Sequence, residues 1–122
     1  MRFALSFKHG IDLRDISPEI LMGHSVVVEQ YRNHDLPCRV TSGQDGKHSD
    51  RSFHYPRNDP DHGPWCEPKF KALDYGTKNP STGEQWSSII KNALSDDIRR
   101  ALGPQFQVVV EADHIHVEFD PV

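Results

Sequence analysis

The first helix is indicated by polar and apolar residues that alternate at helical spacing after residue 16. Ser17 offers a capping hydroxyl, Pro18 fits a first helical turn, and Glu19 lies near the positive end of the helix dipole. One helical face then carries the mostly apolar residues Ile20, His24, Val27, Val28 and Tyr31. The pattern predicts a helix that begins at Pro18 and ends near Asn33.

A second stripe of helical spacing lies in the C-terminal half of the chain. Its apolar members are Trp86, Ile89, Ile90, Ala93, Leu94, Ile98, Ala101 and Leu102. It predicts a helix over about residues 84–102, capped by Thr82 or Ser81. Gly103 and Pro104 are expected to end it.

Four short runs rich in β-branched and aromatic residues predict strands. They are LPCRVT at residues 36–41, KALDY at 71–75, QFQVVVEA at 105–112 and IHVEF at 115–119. A long stretch rich in Gly, Asp, His and Pro separates the first two runs, and such loops are usually functional or disordered. The order of elements predicts one α+β domain, in which two main helices cover a small, mostly antiparallel sheet.

Composition and charge exclude several classes of protein. The chain has 122 residues, 35% of them hydrophobic, and a net charge of -4, which indicates a single domain with a modest core. An acidic chain lacks the basic face of a general nucleic-acid binder. No apolar run approaches the roughly 20 residues of a membrane span. The N-terminus lacks the apolar region of a signal peptide, so we expect synthesis in the cytoplasm.

Eight histidines are the unusual feature of the composition. In the run EADHIHVEFD, His114 and His116 are two residues apart, so on a strand both point to one face, and Glu118 extends the row. The exposed face of a half-buried strand would look the same, so this motif alone is weak. Cys38 and Cys66 are too few for an all-cysteine zinc site and are expected to be free thiols.

Further metal-binding groups occur in SFHYP, which contains His54, and in KALDY, which contains Asp74. Zinc takes three or four nitrogen, oxygen or sulfur ligands, and a catalytic site keeps one position for water. Two histidines and one carboxylate satisfy this requirement, and the bound water becomes acidic near neutral pH. A further carboxylate must then act as general base, and Glu111 and Asp113 lie next to the histidine pair.

The order SxH, AxD and HxH resembles the zinc peptidases of the D-Ala-D-Ala carboxypeptidase and hedgehog-type fold, which include phage endolysins that cut L-Ala-D-Glu bonds. The segments VTSGQDGKHSDRSFHYP, KALDYGTK and VVVEADHIHVEFDP are similar in particular to the short members encoded by bacteriophages. The resemblance covers about residues 16–121. It implies a zinc-dependent hydrolase with one Zn2+ ion per chain and a peptidoglycan stem peptide as substrate. Holin release or carriage in the virion would bring such an enzyme to the cell wall.

Carried over by the resemblance, the zinc ligands are His54, Asp74 and His116. Far more residues separate His54 from Asp74 than in the family motif SxHxxGxAxD, and about residues 55–71 are interpreted as an inserted loop. A count at the family's spacing lands on Asp61 instead. Asp74 is preferred because its apolar strand context matches the family, whereas Asp61 lies in a turn-like run.

The resemblance also assigns the catalytic residues. Asp113, three residues before the last ligand, corresponds to the general base, with Glu111 as its rival because Glu111 and His114 also form an ExxH spacing. His114, the first histidine of HxH, would help to stabilise the transition state.

Substrate-binding residues are less well defined. Many relatives carry an arginine shortly after the TSG segment, and here that position lacks one, so Arg51 and Arg39 are the candidates to replace it. Trp65 in the inserted loop would contribute to specificity. Ser52 matches the serine of SxH and is expected to hold the ligand loop through hydrogen bonds.

Two alternatives remain open from the sequence. Hedgehog-type domains use a similar zinc site while acting through partner binding, so a non-catalytic zinc-binding interaction or assembly protein has the same motifs. A closed site with four protein ligands, His48 among them, would indicate that class. The third interpretation is a metal-free interaction domain with HxH on a solvated strand.

Overall fold

Two helices and five strands make up the described part of the chain, in a computed structural model that describes residues 2–14, 16–43 and 71–121. In chain order the elements are β1 (Leu5–Phe7), α1 (Pro18–Asn33), β2 (Cys38–Ser42), β3 (Ala72–Gly76), α2 (Ser88–Leu102), β4 (Phe106–Val110) and β5 (His114–Phe119). The predicted α+β class is confirmed. Neither helix among these residues has the length and apolar content needed to cross a membrane.

The strands form one sheet in the order β1-β2-β3-β5-β4. β1 runs parallel to β2, and the other three neighbouring pairs are antiparallel, as the sequence predicts. β1 was not predicted, because three residues are too few for their alternation of polar and apolar positions to give a strand signal. Its pairing with β2, Leu5 opposite Cys38, makes it an edge strand.

The hydrophobic core lies between the helices and one face of the sheet. Tyr75 of β3 packs against Tyr31 of α1, with ring centroids 6.0 Å apart, so this face of β3 is turned toward the helices. The predicted face of α1 is confirmed, because Ile20, Val27 and Tyr31 are buried. From the sheet and α2 the core receives Cys38, Val40, Ala72, Leu73, Tyr75, Leu94, Ile98, Val108, Ile115 and Val117.

The second helix begins later than the sequence predicts. The backbone of Gln85 pairs with residue 78 in an isolated β-bridge, which keeps the chain out of the helical conformation. Ser87 provides the cap instead, because its Oγ accepts a hydrogen bond from the backbone N–H of Ile90 at 3.3 Å. The predicted start near residue 84 and the caps at Thr82 or Ser81 are therefore wrong.

The buried face of α2 also differs from the predicted stripe. Leu94 and Ile98 are buried as expected, but the side chain of Ile89 is 80% exposed. Lys91 and Ser95 are buried in the same helix. Apolar periodicity therefore identified the helix, but the packing of α1 and β4 against it decides which of its residues are covered.

The two isoleucines of α2 allow a matched test of this packing. We expect Ile98→Ala to lower the free energy of unfolding by about 2–5 kcal/mol, because it leaves a cavity in the core. Ile89→Ala should change it by less than about 0.5 kcal/mol, since that side chain is exposed. Urea unfolding followed by circular dichroism measures both, and equal losses would contradict the core described above.

Candidate metal and catalytic site

The face of the sheet away from the helices carries a row of polar side chains. On β5 the odd-numbered residues point into the core, while His114, His116 and Glu118 point to the opposite face. Asp74 on β3 is the register partner of His116 across the strand pair. This register brings a carboxylate from β3 beside the histidine row. The five residues Asp74, Asp113, His114, His116 and Glu118 are called the candidate site below.

His116 lies between two carboxylates. Its Nδ1–H donates to Oδ1 of Asp74 at 2.7 Å, and its Nε2–H donates to Oε1 of Glu118 at 3.1 Å. Burial favours the neutral ring, but the hydrogen bonds and charges of Asp74 and Glu118 outweigh it and raise the pKa of His116 to about 9. Without a metal, the ring therefore holds two protons at neutral pH.

A second pair lies at the start of β5. Nδ1–H of His114 donates to Oδ1 of Asp113 at 2.7 Å, and this hydrogen bond is the main reason that the pKa of Asp113 lies below its usual value. On the other edge of the ring, Nε2 of His114 is 3.7 Å from Oδ1 of Asp74. His114 therefore links the exposed carboxylate of Asp113 to the half-buried carboxylate of Asp74.

The turn between β4 and β5 is tied to α2 by a lysine that sequence reasoning missed. Lys91 is buried, and its Nζ donates to the backbone carbonyl oxygen of Ala112 at 2.9 Å. A lysine between Ile90 and Leu94 in an apolar stripe was the available signal, because a buried lysine needs a hydrogen-bonding partner. Lys91 thereby positions the turn that carries Asp113.

A cleft of about 500 Å³ opens beside the candidate site. Asp74, Asp113 and His114 line one part of it, and Glu111 is an exposed residue outside its lining. The other lining residues are Ser6, Lys8, Pro37, Arg39, Thr41, Ser42, Gly76, Lys78, Pro80 and Gln85. Within the described residues, the buried Oγ of Ser42 has no hydrogen-bond partner, although Ser42 lies opposite Asp74 in the β2–β3 register.

The donor atoms fit part of a zinc site. Ligands at about 2.0–2.1 Å in a tetrahedron lie about 3.3 Å from each other. Oδ1 of Asp74 and Nδ1 of His116 are 2.7 Å apart, a hydrogen-bond distance that would have to lengthen by about 0.6 Å for both atoms to bind one zinc ion. Among residues 2–14, 16–43 and 71–121, however, no group of three or more His, Cys, Asp or Glu side chains is arranged to hold a metal ion. The described residues therefore provide a partial set of donors, with Asp74 and His116 adjacent.

Several predicted site residues lie outside the described residues. His54, the third predicted zinc ligand, is one of them, as are its partner's alternative Asp61 and the possible fourth ligand His48. The predicted substrate-binding residues Arg51, Ser52 and Trp65 also lie there. The same holds for Cys66 and for nearly all of the inserted loop, and these assignments stay predictions. Cys38 is a free, buried thiol whose burial raises its pKa to about 12.

The raised pKa of His116 predicts a pH-dependent stability in chelator-treated protein. The stabilisation from its protonated ring, about 2–3 kcal/mol, is complete below the unfolded-state pKa of about 6.5 and is lost as the pH rises through about 9. The difference in unfolding free energy between the wild type and His116→Gln should therefore shrink from pH 6 to pH 10.

The exposed His9 supplies the control for this series. His9→Gln should leave the free energy of unfolding unchanged at every pH, as measured by urea unfolding. A wild-type advantage over His116→Gln that stayed constant from pH 6 to pH 10 would contradict the pairing with the two carboxylates.

No protein-family model matches this sequence, and no curated protein or solved structure gives a significant match to it either. The chemistry of the candidate site is therefore what supports a function for the chain.

Proposed function

We propose that the chain is a zinc-dependent peptidase that hydrolyses a peptidoglycan stem peptide at a D-Ala-D-Ala or an L-Ala-D-Glu bond. The observation that carries the proposal is the juxtaposition of Asp74 and His116 across β3 and β5, with the Asp113–His114 pair at the same cleft. Sequence order alone put these residues far apart, and the sheet register brings them together. The motif resemblance to phage-encoded zinc peptidases points to the same reaction.

Asp74 and His116 are the proposed metal ligands among the described residues, with His54 as the third. Glu118 accepts the Nε2–H of His116, which orients the ring and leaves Nδ1 facing Asp74. Zinc at such a site supplies a Lewis acid that polarises a peptide carbonyl and lowers the pKa of water. The hydroxyl of Ser42, which has no hydrogen-bond partner among the described residues, lies opposite Asp74 in the sheet and gives this end of the cleft a further group that can bind a polar ligand.

Asp113 is the proposed general base. Its ionised carboxylate can accept the proton of the attacking water and deliver it to the leaving amine. The hydrogen bond from His114 lowers the pKa of this carboxyl, which makes Asp113 a weaker base and orients it at the cleft. It lines the cleft, whereas Glu111 is exposed outside the lining, so Asp113 is the better placed of the two predicted candidates. Lys91 fixes the turn behind it through the carbonyl of Ala112.

His114 is proposed to stabilise the developing oxyanion. Its ring is held on one side by Asp113, and its Nε2 points toward Asp74 at the cleft. When the ring carries a proton on both nitrogens, its oriented Nε2–H can donate to the oxyanion, and such a donor is worth several kcal/mol in a transition state, on the order of 10²–10³ in rate. For a phage enzyme acting on the cell wall, we propose release by a holin or carriage in the virion.

Substitution of the base separates catalysis from metal binding. Asp113→Asn should retain about one zinc ion per chain and lose about 10²–10⁴ of its turnover, because the amide cannot accept the proton. Glu111→Gln is the matched control and should keep most of the activity. Turnover is measured by release of the peptide fragments from purified stem peptide. Full activity of Asp113→Asn, or loss only in Glu111→Gln, would reverse the assignment of the base.

Substitution of the ligand tests the metal centre. His116→Ala should lower bound zinc far below one per chain and destabilise the fold, because metal binding and folding are coupled. His9→Ala, at an exposed position, should bind zinc as the wild type does. Elemental analysis after gel filtration gives the stoichiometry, and undiminished zinc in His116→Ala would remove it from the ligands. Stoichiometric zinc in a wild type that hydrolyses neither bond would instead indicate the non-catalytic zinc-binding protein.

A further inference from the structure

Ser42 carries the one buried side-chain polar atom that has no hydrogen-bond partner in the described part of the chain. Buried polar atoms are hydrogen-bonded in the large majority of cases, and an unpaired one costs free energy. The residue lies at the end of β2 and lines the cleft together with Asp74. Its hydroxyl is therefore a donor that a change in the candidate site can bring into use.

A β-bulge turns Ser42 toward the cleft. Val40 is the register partner of Tyr75, and the next pair is Ser42 with Asp74, so β2 contributes one residue more than β3 between the two pairs. In a regular strand Ser42 would share the core face with Val40, because residues two apart point the same way. The extra residue reverses this alternation, and both Thr41 and Ser42 line the cleft. The bulge thereby brings the hydroxyl to the same face as the carboxylate of Asp74.

Asp74 has an oxygen that can accept a hydrogen bond from this hydroxyl. Its Oδ1 accepts from Nδ1–H of His116 at 2.7 Å and lies 3.7 Å from Nε2 of His114. Its Oδ2 has no donor among the described residues. Residues directly opposite in an antiparallel pair have Cβ atoms about 4.5–5.5 Å apart, so rotation of the two side chains can join Oγ of Ser42 to Oδ2 of Asp74.

Zinc binding requires the carboxylate of Asp74 to be held in a different position. The 2.7 Å distance from its Oδ1 to Nδ1 of His116 has to lengthen by about 0.6 Å before both atoms can bind one ion. Carboxylates that bind a metal are themselves hydrogen-bonded, and these partners fix the orientation of the ligand. Ser42 can supply such a bond, since its Oγ–H is a donor that no described acceptor uses.

We propose that Ser42 is a positioning residue for Asp74: in the zinc-loaded site its Oγ–H donates to Oδ2 of the carboxylate, while Oδ1 binds the ion. The part of Asp74 as a ligand rests on the function proposed above. Ser42 acts through the carboxylate and does not touch the zinc ion. Its hydroxyl stabilises the zinc-loaded site and not the fold without zinc, because without zinc it is a buried donor that lacks a partner among the described residues.

The zinc affinity of Ser42→Ala tests the proposal. The Kd for zinc is measured by competition with a chromogenic chelator and should rise about 10–100-fold, as expected when the hydrogen-bond partner of a metal ligand is removed. Ser42→Thr keeps a hydroxyl at this position and should restore most of the affinity. Ser6→Ala is the control and should leave the Kd unchanged, since it removes a hydroxyl that lines the same cleft from β1, two strands away from Asp74.

The stability of the chelator-treated protein gives a second measurement, which a merely structural role would change. The urea midpoint of Ser42→Ala should equal or exceed that of the wild type, since the substitution removes a buried donor without a described partner. Added zinc should raise the midpoint of this variant less than that of the wild type, because weaker binding stabilises less. A lowered midpoint without zinc, or an equal loss of zinc affinity in Ser42→Thr, would assign the side chain to packing of the fold and overturn the proposal.

Hydrolysis assays distinguish this result from the fate of the proposed function. Unchanged zinc affinity in Ser42→Ala, with a wild type that binds zinc and cleaves the stem peptide, would refute the role of Ser42 and support the peptidase. The expected loss of affinity in a chain whose wild type binds zinc but cleaves neither bond would support the role of Ser42 and refute the peptidase. A wild type that binds no zinc would refute both.

Discussion

The register between β3 and β5 is the constraint on which the candidate site depends. It places Asp74 opposite His116 on the face away from the helices, while Tyr75 and Leu73 enter the core on the other face. Because side chains alternate along a strand, a slip of one residue would bury Asp74 among apolar side chains and turn a core residue toward His116. The same apolar alternation that stabilises the core therefore fixes the positions of the polar groups.

The electrostatics of this cluster fit the function proposed above. Two carboxylates share one imidazolium at Asp74, His116 and Glu118, all of them largely removed from water. Well-packed apolar residues of similar volume stabilise a fold at least as well as a buried ion pair does, so the stabilisation by protonated His116 does not by itself explain why charged groups occupy this face. A cation bound by Asp74 would balance the excess of negative charge.

Local patterns predicted the elements better than the site. Ser17, Pro18 and the apolar face of α1 are all neighbours in the sequence, so the first helix and its buried face were predicted correctly. The common face of His114, His116 and Glu118 also follows from strand periodicity alone. The late start of α2 could not be predicted from local patterns, because it depends on a β-bridge between Gln85 and residue 78, which lie in separate segments.

Long-range contacts account for the residues that the sequence missed. Lys91 is linked to the candidate site by its hydrogen bond to a backbone carbonyl of the β4–β5 turn. Lys8 and Lys78 reach the cleft only because β1, β2 and β3 are neighbours in the sheet. Asp74 was identified by a motif resemblance, while its hydrogen bond to His116 is a property of the register. Composition and periodicity carry no information about such contacts.

X-ray diffraction from crystals of the as-purified protein, recorded on both sides of the zinc absorption edge, tests the central claim most directly. The account predicts one anomalous peak within bonding distance of Asp74 and His116, with a coordination position left to water. A structure in which His116 keeps its hydrogen bonds to both carboxylates, with no anomalous peak beside them after growth in zinc-containing medium, would contradict it.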